Sequence, residues 1–464
     1  MSYQRKKIVI IGGGAAGVSA AAYALQKGFL DVTLIESSGT LGGLHKDVEI
    51  DGLHFDLGAF FFWQHHNILR LFPGLAQILV YAESSKHFAL TNQHNLDHYP
   101  LTLKSYIQEN GYLDTAADFF RVFYRRISKP ISTCKNVSDV MTYYMGPFFK
   151  KTGLHFYLER LYGLDPKLLD TEFAYHRLES VISKFTIKNM LDALSKGDLN
   201  YFKKYEILRE TWARPESGFE SMYQFIQAQL QELKCEIILR ENVERINLRE
   251  KTIETGSGLT ISYDYLFSSQ PLMTTASMSG ISLDLDLKYR PLCSLFYEVP
   301  FEIMKDCFVL FNFTHRGRWK RATFHSNYYN RNKSGDCELR HYFVVESLPE
   351  LTQSESETAH LLDQDFKSTF VATKWEDNFQ HAKLVGHHVT RNAYPVFDMG
   401  FDRSRITNFK QCMQDEGVYM VGRQGQFVHN SSSDASRSSI LAIDDIIEKT
   451  KSQGDLSAMR HSAL

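Results

Sequence analysis

The sequence predicts an α/β fold: a Rossmann-like domain built from discontinuous segments, joined to a mixed α+β domain with a helical insertion. Three observations predict it. The chain of 464 residues exceeds the ~250–300 residues at which one core stops growing, so at least two domains are expected. A β-branched run and a glycine-rich turn open the chain. Stretches with helical periodicity and with strand-like alternation follow.

The first element is a buried parallel strand over Lys7–Ile11, indicated by its β-branched residues. The next six residues read G-G-G-A-A-G, and Gly12, Gly14 and Gly17 satisfy the pattern G-x-G-x-x-G. In such a turn the first glycine permits the tight bend and the second lets the backbone approach a pyrophosphate, while the third lets a helix pack on the strand. A helix over residues 15–27 would then point its N-terminal amides at the phosphates.

A second strand is predicted over residues 31–35 and leads to Glu36, which lies 19 residues after Gly17. An acid about 20 residues beyond the turn binds ribose hydroxyls in dinucleotide-binding folds. The alternative for the apolar stretch 8–25 is a secretory signal, because three basic residues precede it. Its four glycines and the strand that follows disfavour a signal, so the sequence predicts a dinucleotide site.

The residues after Glu36 point to FAD. Residues 37–44 read S-S-G-T-L-G-G-L and residues 54–59 read H-F-D-L-G-A. These segments resemble the second glycine motif and the flavin-side strand of the amine oxidase, protoporphyrinogen oxidase and phytoene desaturase group of flavoproteins. Paired glycines let the chain pass close to a ligand where a side chain would clash. The cofactor-binding residues implied by the fingerprint and the resemblance are Gly12, Gly14, Ala15, Ala16, Gly17, Glu36, Ser37, Gly42, Gly43, Leu44, Val243, Gly422, Arg423, Ser433 and Asp434.

The resemblance also divides the chain. Segments 1–75, 206–270 and 396–450 are expected to form the FAD-binding domain, and segments 76–205 and 271–395 the substrate domain, with residues 451–464 as a frayed tail. Helical periodicity is expected from residue 67 to residue 204, and a final helix over residues 434–448. The strands predicted in the second half are residues 236–240, 242–247, 263–269, 294–299, 340–346 and 419–421.

Two kinds of chemistry remain open. Most of the group oxidises a C–N or C–C bond by hydride transfer to flavin, whereas a branch similar to UDP-galactopyranose mutase rearranges a nucleotide sugar without net redox change. Residues 319–325 (W-K-R-A-T-F-H), 394–396 (Y-P-V) and 422–425 (G-R-Q-G) resemble motifs of that branch. The resemblance implies that Arg321 and Arg423 hold an anionic substrate group, a role suited to a bidentate guanidinium.

The candidate catalytic residues are therefore Arg423, Arg321 and His429, the last as a proton donor or acceptor near neutral pH. The alternatives are structural ion pairs for the arginines and a loop position for the histidine. Leu44 replaces both the Asn of the mutases and the Arg of the amine oxidases, so neither activity transfers directly. The mutase pattern also differs at Ala59, Phe60 and His429. The expected function is an FAD-dependent oxidoreductase acting on an amine, porphyrinogen or polyene, with a nucleotide-sugar mutase as the alternative.

The charge and cysteine content of the chain limit the partners that it is expected to bind. A net charge of −2, from 52 basic and 54 acidic residues, offers no overall field for nucleic acid or an anionic membrane. The six cysteines include no C-x-x-C pair, which favours a reduced, cytoplasmic setting without a metal site. No membrane span is expected. The expected partner is a small-molecule substrate, with anionic ones among the candidates, and a homo-oligomer stays open.

Overall fold

A computed structural model of the chain describes residues 2–82, 86–99, 103–189, 210–330, 339–351, 354–399 and 401–462. The strands are β1 (Lys7–Ile11), β2 (Asp31–Glu36), β3 (Asp47–Ile50), β4 (Leu53–Asp56), β5 (Phe62–Trp63), β6 (Val80–Tyr81), β7 (His87–Leu90), β8 (Leu96–His98), β9 (Thr211–Ala213), β10 (Glu236–Leu239), β11 (Val243–Asn247), β12 (Thr252–Thr255), β13 (Thr260–Ser262), β14 (Tyr265–Ser268), β15 (Lys288–Val299), β16 (Val309–Asn312), β17 (Trp319–Thr323), β18 (His341–Ser347), β19 (Lys383–Val396) and β20 (Val418–Met420).

The α-helices are α1 (Ala15–Gln26), α2 (Asn67–Leu71), α3 (Leu103–Asn110), α4 (Tyr112–Ser128), α5 (Val137–Met145), α6 (Phe148–Lys151), α7 (Leu154–Tyr162), α8 (Glu172–Arg177), α9 (Glu179–Lys184), α10 (Gly218–Glu232), α11 (Leu272–Met278), α12 (Ser326–Tyr329), α13 (Glu355–Ser368), α14 (Glu376–Gln380), α15 (Arg403–Asp415), α16 (Gly422–Gln426) and α17 (Ser432–Ser462). Short 3₁₀ turns lie at Ser2–Arg5, Leu75–Gln77, Ile131–Thr133 and Pro166–Leu168.

A five-stranded parallel sheet in the order β10-β2-β1-β14-β20 forms the N-terminal core of the described chain. Strand β1 lies at its centre, and its residues 8–11 are fully buried because helices and loops cover both faces. Helix α1 packs on α17, where the Ser439 hydroxyl donates to the Ala16 carbonyl over 2.8 Å. The sheet draws its strands from three separated parts of the chain, and the predicted α/β fold class is confirmed.

The second large sheet has seven strands in the order β19-β15-β18-β17-β16-β7-β8. Its pairs are antiparallel except for β16 with β7, which run parallel. Strands β6, β7 and β8 correct the expectation of continuous helix from residue 67. Each spans four residues or fewer, too short for periodicity to identify, and pairing with β16 decides the conformation of β7.

Helices α3 to α9 form the helical insertion between residues 103 and 184. Buried Val122, Met141, Phe148 and Leu158 belong to its core. The part of the expected helical stretch from residue 190 to residue 204 lies outside the described residues. So do residues 206–209 of the expected FAD-binding segment, and Cys337; the five described cysteines are free thiols.

The C-terminal region differs from the expectation in two places. A short helix, α16, follows β20 instead of an irregular turn. The last helix begins at Ser432 and continues to Ser462, through most of the stretch expected to fray. Ser431 and Asp434 cap it reciprocally: the Asp434 amide donates to the Ser431 hydroxyl (3.2 Å) and the Ser431 amide donates to the Asp434 carboxylate (3.1 Å).

Candidate active site

The glycine-rich turn is held by backbone contacts that exclude side chains. Gly12 has a φ of +100°, which favours glycine. A Cβ at Gly17 would lie 1.8 Å from the Gly12 carbonyl oxygen, so α1 can approach β1 only with glycine there. Gly14 forms a parallel bridge with Gly42, and a Cβ at Gly43 would lie 2.9 Å from the Gly14 Cα. The two glycine motifs therefore pack backbone against backbone, and we call them together the glycine cradle (residues 12–17 and 39–44).

The polar groups of the glycine cradle suit a dinucleotide. Gly14 is the N-cap of α1 and no side chain caps the helix there, so its first amides are left for a ligand. One Glu36 carboxylate oxygen accepts from the Gly13 amide over 2.7 Å and the other from the Ser38 amide over 2.8 Å. These bonds hold the carboxylate beside the turn, where it can accept from ribose hydroxyls.

A cavity of about 660 Å³ runs from the glycine cradle to the seven-stranded sheet. Its volume is in the range of small-molecule sites, about 300–1,000 Å³. The sequence-predicted residues that line it are Gly12, Gly14, Ala15, Ala16, Glu36, Gly42, Gly43, Leu44, Arg321, Gly422, Arg423 and His429.

Five predicted cofactor residues are not among those that line this cavity. Gly17 lies behind the turn, and the Ser37 hydroxyl donates to Glu36 over 3.3 Å. Val243 is buried and pairs with β12. The Ser433 hydroxyl accepts from the Asn67 amide over 3.3 Å, and Asp434 belongs to the cap of α17.

A buried ionic group reaches the cavity through Arg321, Tyr394 and Arg423. We call these three residues, together with Lys320 and Glu346, the cationic cluster. Glu346 is at its centre, with a side chain only 1% exposed. Lys320 Nζ lies 2.8 Å from one of its oxygens. Arg321 donates to both oxygens, from Nε and, over 3.0 Å, from Nη2. Burial alone would raise the pKa of Glu346, but the charges of Arg321 and Lys320 lower it to about 2.

A β-bulge allows two consecutive residues to reach one carboxylate. Trp319 pairs with Ser347 and Arg321 with Glu346, so Lys320 is the extra residue in β17. In a regular strand, neighbouring side chains point to opposite faces. The bulge instead turns Lys320 and Arg321 toward Glu346, and Arg321 also faces the cavity.

Tyr394 connects the two halves of the cationic cluster. Lys320 Nζ donates to its hydroxyl, and its ring stacks on that of His429 with centroids 4.5 Å apart. The Arg423 guanidinium lies 5.6 Å from the ring centroid and donates to the carbonyls of Asn430 (2.6 and 3.1 Å) and Ala393 (3.4 Å). Burial would raise the pKa of Tyr394, but Lys320, Arg321 and Arg423 lower it below its ordinary value.

Two cavity histidines are neutral near pH 7. His45 is bonded to the Tyr223 hydroxyl over 2.8 Å, and burial together with the charge of Arg423 lowers its pKa to about 4. For His87, burial and the charge of Arg321 lower the pKa to about 4. His87 Nε2 is buried without a hydrogen-bond partner in the described part of the chain, so it can serve a bound ligand.

An aromatic wall completes the cavity and consists of Phe61, Tyr99, Tyr157 and Phe311. The rings of Tyr99 and Phe311 stack with centroids 3.9 Å apart, and Tyr157 contacts Phe311 at 5.6 Å. The helical insertion supplies Tyr157 and the seven-stranded sheet supplies Phe311. The cavity thus offers a cationic region and an apolar planar region to one ligand.

Sequence reasoning missed Lys320, Glu346, His45 and His87 as site residues. The adjacent Lys-Arg pair was visible, but strand alternation predicts that the two side chains diverge. Glu346 lies in a run that reads as an ordinary buried strand, and its partners are 25 and 26 residues away in sequence. Within the described residues, no group of three or more His, Cys, Asp or Glu side chains is placed to hold a metal ion.

Comparison with known proteins identifies the class of the N-terminal region. Residues 10–75 match the family of NAD(P)-binding Rossmann-like domains. A 4,4'-diaponeurosporene oxygenase of Staphylococcus haemolyticus is 48% identical over 54 residues, 12% of this chain and 11% of that protein. A carotenoid 3,4-desaturase of Haloarcula japonica is 43% identical over 51 residues, 11% of this chain and 10% of that protein. The match thus spans about a tenth of each relative, and residues 10–75 have the Rossmann-like fold of that domain family.

Solved structures extend the likeness to nearly the whole chain. A reduced UDP-galactopyranose mutase covers 96% of this chain and 94% of its own, with a TM-score of 0.73 at 18% identity. A structure assigned as a protoporphyrinogen oxidase from Exiguobacterium sp. 255-15 covers 95% of this chain and 98% of its own, with a TM-score of 0.65 at 16% identity. A putrescine oxidase bound to putrescine covers 96% of this chain and 99% of its own, with a TM-score of 0.58 at 14% identity. The chain therefore has the overall fold that these three solved structures share, and the predicted resemblance is confirmed at the level of the fold.

Proposed function

We propose that the chain is an FAD-dependent oxidoreductase that takes a hydride from a small organic substrate carrying negative charge. The observation that carries this proposal is the arrangement of one continuous cavity. The glycine cradle and the two arginines Arg321 and Arg423 line this same cavity.

The glycine cradle fits the dinucleotide part of FAD. A Cβ at Gly14 would lie 3.5 Å from the Gly43 Cα, which is an ordinary contact distance. The protein itself can therefore accommodate a small side chain at this position, whereas a larger one would occupy the space for a pyrophosphate. The α1 amides would hold the phosphates and Glu36 a ribose. Gly422, with a φ of +75°, lets α16 approach Ala16 at the same place. When bound, the flavin supplies the hydride acceptor.

The cationic cluster determines the class of substrate. Lys320 and Arg321 share a single carboxylate, and Arg423, over the Tyr394 ring, adds a third positive charge at the cavity wall. A carboxylate or phosphate on the substrate would be attracted there and would accept from guanidinium N–H groups that Glu346, Asn430 and Ala393 leave over. A protonated amine would be repelled. Of the expected substrate types, the amine is therefore disfavoured and acidic ones are favoured.

The neutral side chains can orient the substrate. Tyr394 presents a phenol whose hydroxyl is fixed by Lys320, and His87 presents an imidazole nitrogen free of described partners. Both groups line the cavity. They can hydrogen-bond the part of the substrate that reaches the flavin and keep water from that region.

A second candidate is a nucleotide-sugar mutase. It is favoured by the aromatic wall, because Tyr99 and Phe311 offer a planar surface beside Arg321. A nucleoside diphosphate has both a base that stacks and a diphosphate that binds arginine. This candidate shares the cofactor with the first but needs no net electron transfer.

One anaerobic experiment separates the two. Oxidised holoenzyme is mixed with acidic porphyrinogens, carboxylated polyenes, amines and UDP-sugars while the flavin absorbance is recorded. Bleaching by an acidic substrate supports the oxidoreductase, whereas conversion of a UDP-sugar only after dithionite reduction, with no net electron loss, supports the mutase. Bleaching by amines alone would contradict the anionic-substrate proposal. A purified protein that is colourless and takes up no added FAD would contradict both the oxidoreductase and the mutase proposal.

A further inference from the structure

Helix α4 (Tyr112–Ser128) exposes a set of large apolar side chains. Their exposed fractions are 88% for Leu113, 73% for Tyr112, 70% for Ile127, 69% for Phe120, 64% for Tyr124 and 43% for Phe123. Isolated exposed apolar residues are ordinary, but a contiguous group of this size marks an interaction surface.

These side chains share one face of the helix. At 100° per residue, they and the exposed Ala116 and Ala117 fall within an arc of about 140°, without a polar residue between them. The opposite side of the helix holds Thr115, Asp118 and Val122, which are buried against the protein. The apolar arc is thus an outward face of α4, and we call it the α4 apolar face.

Positive charge borders the α4 apolar face. Residues 112–135 contain five basic and two acidic residues, a net charge of +3, against −2 for the whole chain. Asp118 is buried and pairs with Arg121 (2.8 Å) and Lys151 (2.6 Å), and Arg126 points inward. The outward charge therefore comes from half-exposed Arg125 and from Lys129 and Lys135, against exposed Asp114. Lys129 and Lys135 are exposed just beyond the helix.

We propose that the α4 apolar face docks the protein on the surface of an anionic lipid bilayer. A helix with a wide apolar arc and a basic border lies in the plane of the membrane, with its apolar side about 5–10 Å into the boundary between headgroups and acyl chains. The basic residues complement acidic headgroups. Among the described helices, none is long and apolar enough to cross a bilayer.

Charge favours lipid over a second copy of the chain. A two-fold dimer that paired the α4 apolar face with itself would bring two copies of the same basic border together. An anionic bilayer would instead neutralise that border while it covered the apolar side chains.

The helices behind α4 lead to the cavity. Arg126 on the inner side of α4 donates to the Tyr144 carbonyl at the end of α5 over 2.6 Å. Helix α7, in the same insertion, supplies Tyr157 and Leu161 to the cavity wall. Docking would therefore place the helical insertion, with its part of the cavity wall, next to the bilayer. The proposal concerns the surface alone and does not depend on the chemistry proposed for the cavity.

Vesicle flotation of the purified holoprotein tests the proposal. Vesicles are made of phosphatidylcholine alone or mixed with phosphatidylglycerol. Wild type is expected to float with the mixed vesicles at low salt and less with the neutral ones. The double variant Phe120→Glu/Ile127→Glu should lose roughly tenfold or more in affinity for each side chain. Leu30→Glu is the matched control, because Leu30 is 73% exposed on the nucleotide-binding domain, and it should bind like wild type.

Charge variants test the second half of the proposal. Lys129→Gln and Lys135→Gln should each weaken binding to the acidic vesicles about fivefold and leave binding to neutral vesicles unchanged. Melting temperature and flavin content are compared with wild type, and Leu113→Ser replaces the double variant if that variant is unstable. Wild type that fails to float on acidic vesicles, or floats equally after Phe120→Glu/Ile127→Glu, overturns the proposal. A wild-type dimer that becomes monomeric in the double variant, without vesicle binding, also overturns it.

Discussion

Two regions of the cavity, the glycine cradle and the cationic cluster, are built by different means. The glycine cradle is made of backbone: its contacts join Gly12 to Gly17 and Gly14 to Gly43, and side chains are absent from them. The cationic cluster is made of side chains from β17, β18, β19 and α16, balanced around one buried carboxylate. The first region is therefore sensitive to an atom added where two backbone segments touch, and the second to the removal of a charge.

The largest effect, because it combines a loss of stability with a loss of bound flavin, is expected where an added atom meets backbone. In Gly17→Ala the new Cβ would lie 1.8 Å from the Gly12 carbonyl oxygen, so α1 must move away from β1. We expect a loss of about 3 kcal/mol or more in the free energy of unfolding, together with loss of bound flavin. Denaturant unfolding of the apoprotein and the flavin absorbance of the purified protein measure the two effects.

Variants at two other glycines distinguish a steric clash within the protein from a steric clash with the bound flavin. Gly14→Val should leave the apoprotein folded and abolish flavin binding, because the nearest protein atom is 3.5 Å from a Cβ there. Gly52→Ala adds a methyl group where nothing lies within 4 Å, at a φ of +77°, and should cost only about 1 kcal/mol. If Gly17→Ala lowers the free energy of unfolding as little as Gly52→Ala, the contact between Gly17 and the Gly12 carbonyl does not require glycine.

The cationic cluster should respond to charge removal. Glu346→Gln keeps the shape of the side chain but leaves Lys320 and Arg321 buried around a neutral amide. Removing one member of a buried ion pair costs roughly 3–5 kcal/mol. Glu355→Gln is the control, since Glu355 pairs with Arg391 on the surface and its side chain is 44% exposed. An equal loss in the two variants would contradict a central role for Glu346.

The same carboxylate predicts a pH dependence. Because the folded state lowers the pKa of Glu346 from 4.5 to about 2, its contribution is fully present above pH 4.5 and is lost as the pH falls toward 2. The contribution is roughly 3 kcal/mol. Unfolding measured across this window should show the acid loss in wild type, and Glu346→Gln should lose less stability over the same range.

The contrast between the regions also explains what the sequence could predict. The glycine cradle depends on local spacing, and residues 7–36 contain its strand, turn, helix and acid in order. The role of Glu346 depends on the bulge at Lys320 and on pairing across β17 and β18. Neither has a local sequence signal, so Arg321 and Arg423 were predicted by resemblance and Lys320 and Glu346 were not. Strand β7 was missed for the same reason, because its partner β16 lies about 220 residues later.

A smaller effect is expected at the outer cation of the cationic cluster. Arg423→Lys keeps the charge but loses the planar fork that now donates to Asn430 and Ala393. If Arg423 binds the substrate anion, kcat/KM should fall roughly tenfold, equivalent to about 1.4 kcal/mol of transition-state binding, with flavin content unchanged. Arg340→Lys, on the surface pair with Glu298, is the matched control. Normal kinetics per bound flavin, with a lower melting temperature, would make Arg423 structural.

The smallest effect is expected at Tyr394, where one hydroxyl group is shared between the protein and the cavity. Tyr394→Phe keeps the ring stacked on His429 but removes the acceptor of the Lys320 bond, which should cost about 1 kcal/mol of stability. The cations lower the pKa of Tyr394, so in wild type the phenol ionises below its ordinary pH and adds negative charge beside the anion site. KM for an acidic substrate should therefore rise at alkaline pH in wild type, and this rise should be absent in Tyr394→Phe. Tyr289→Phe should keep it, because burial raises the pKa of Tyr289 to about 12. If the KM for an acidic substrate still rises at alkaline pH in Tyr394→Phe, a group other than Tyr394 controls anion binding.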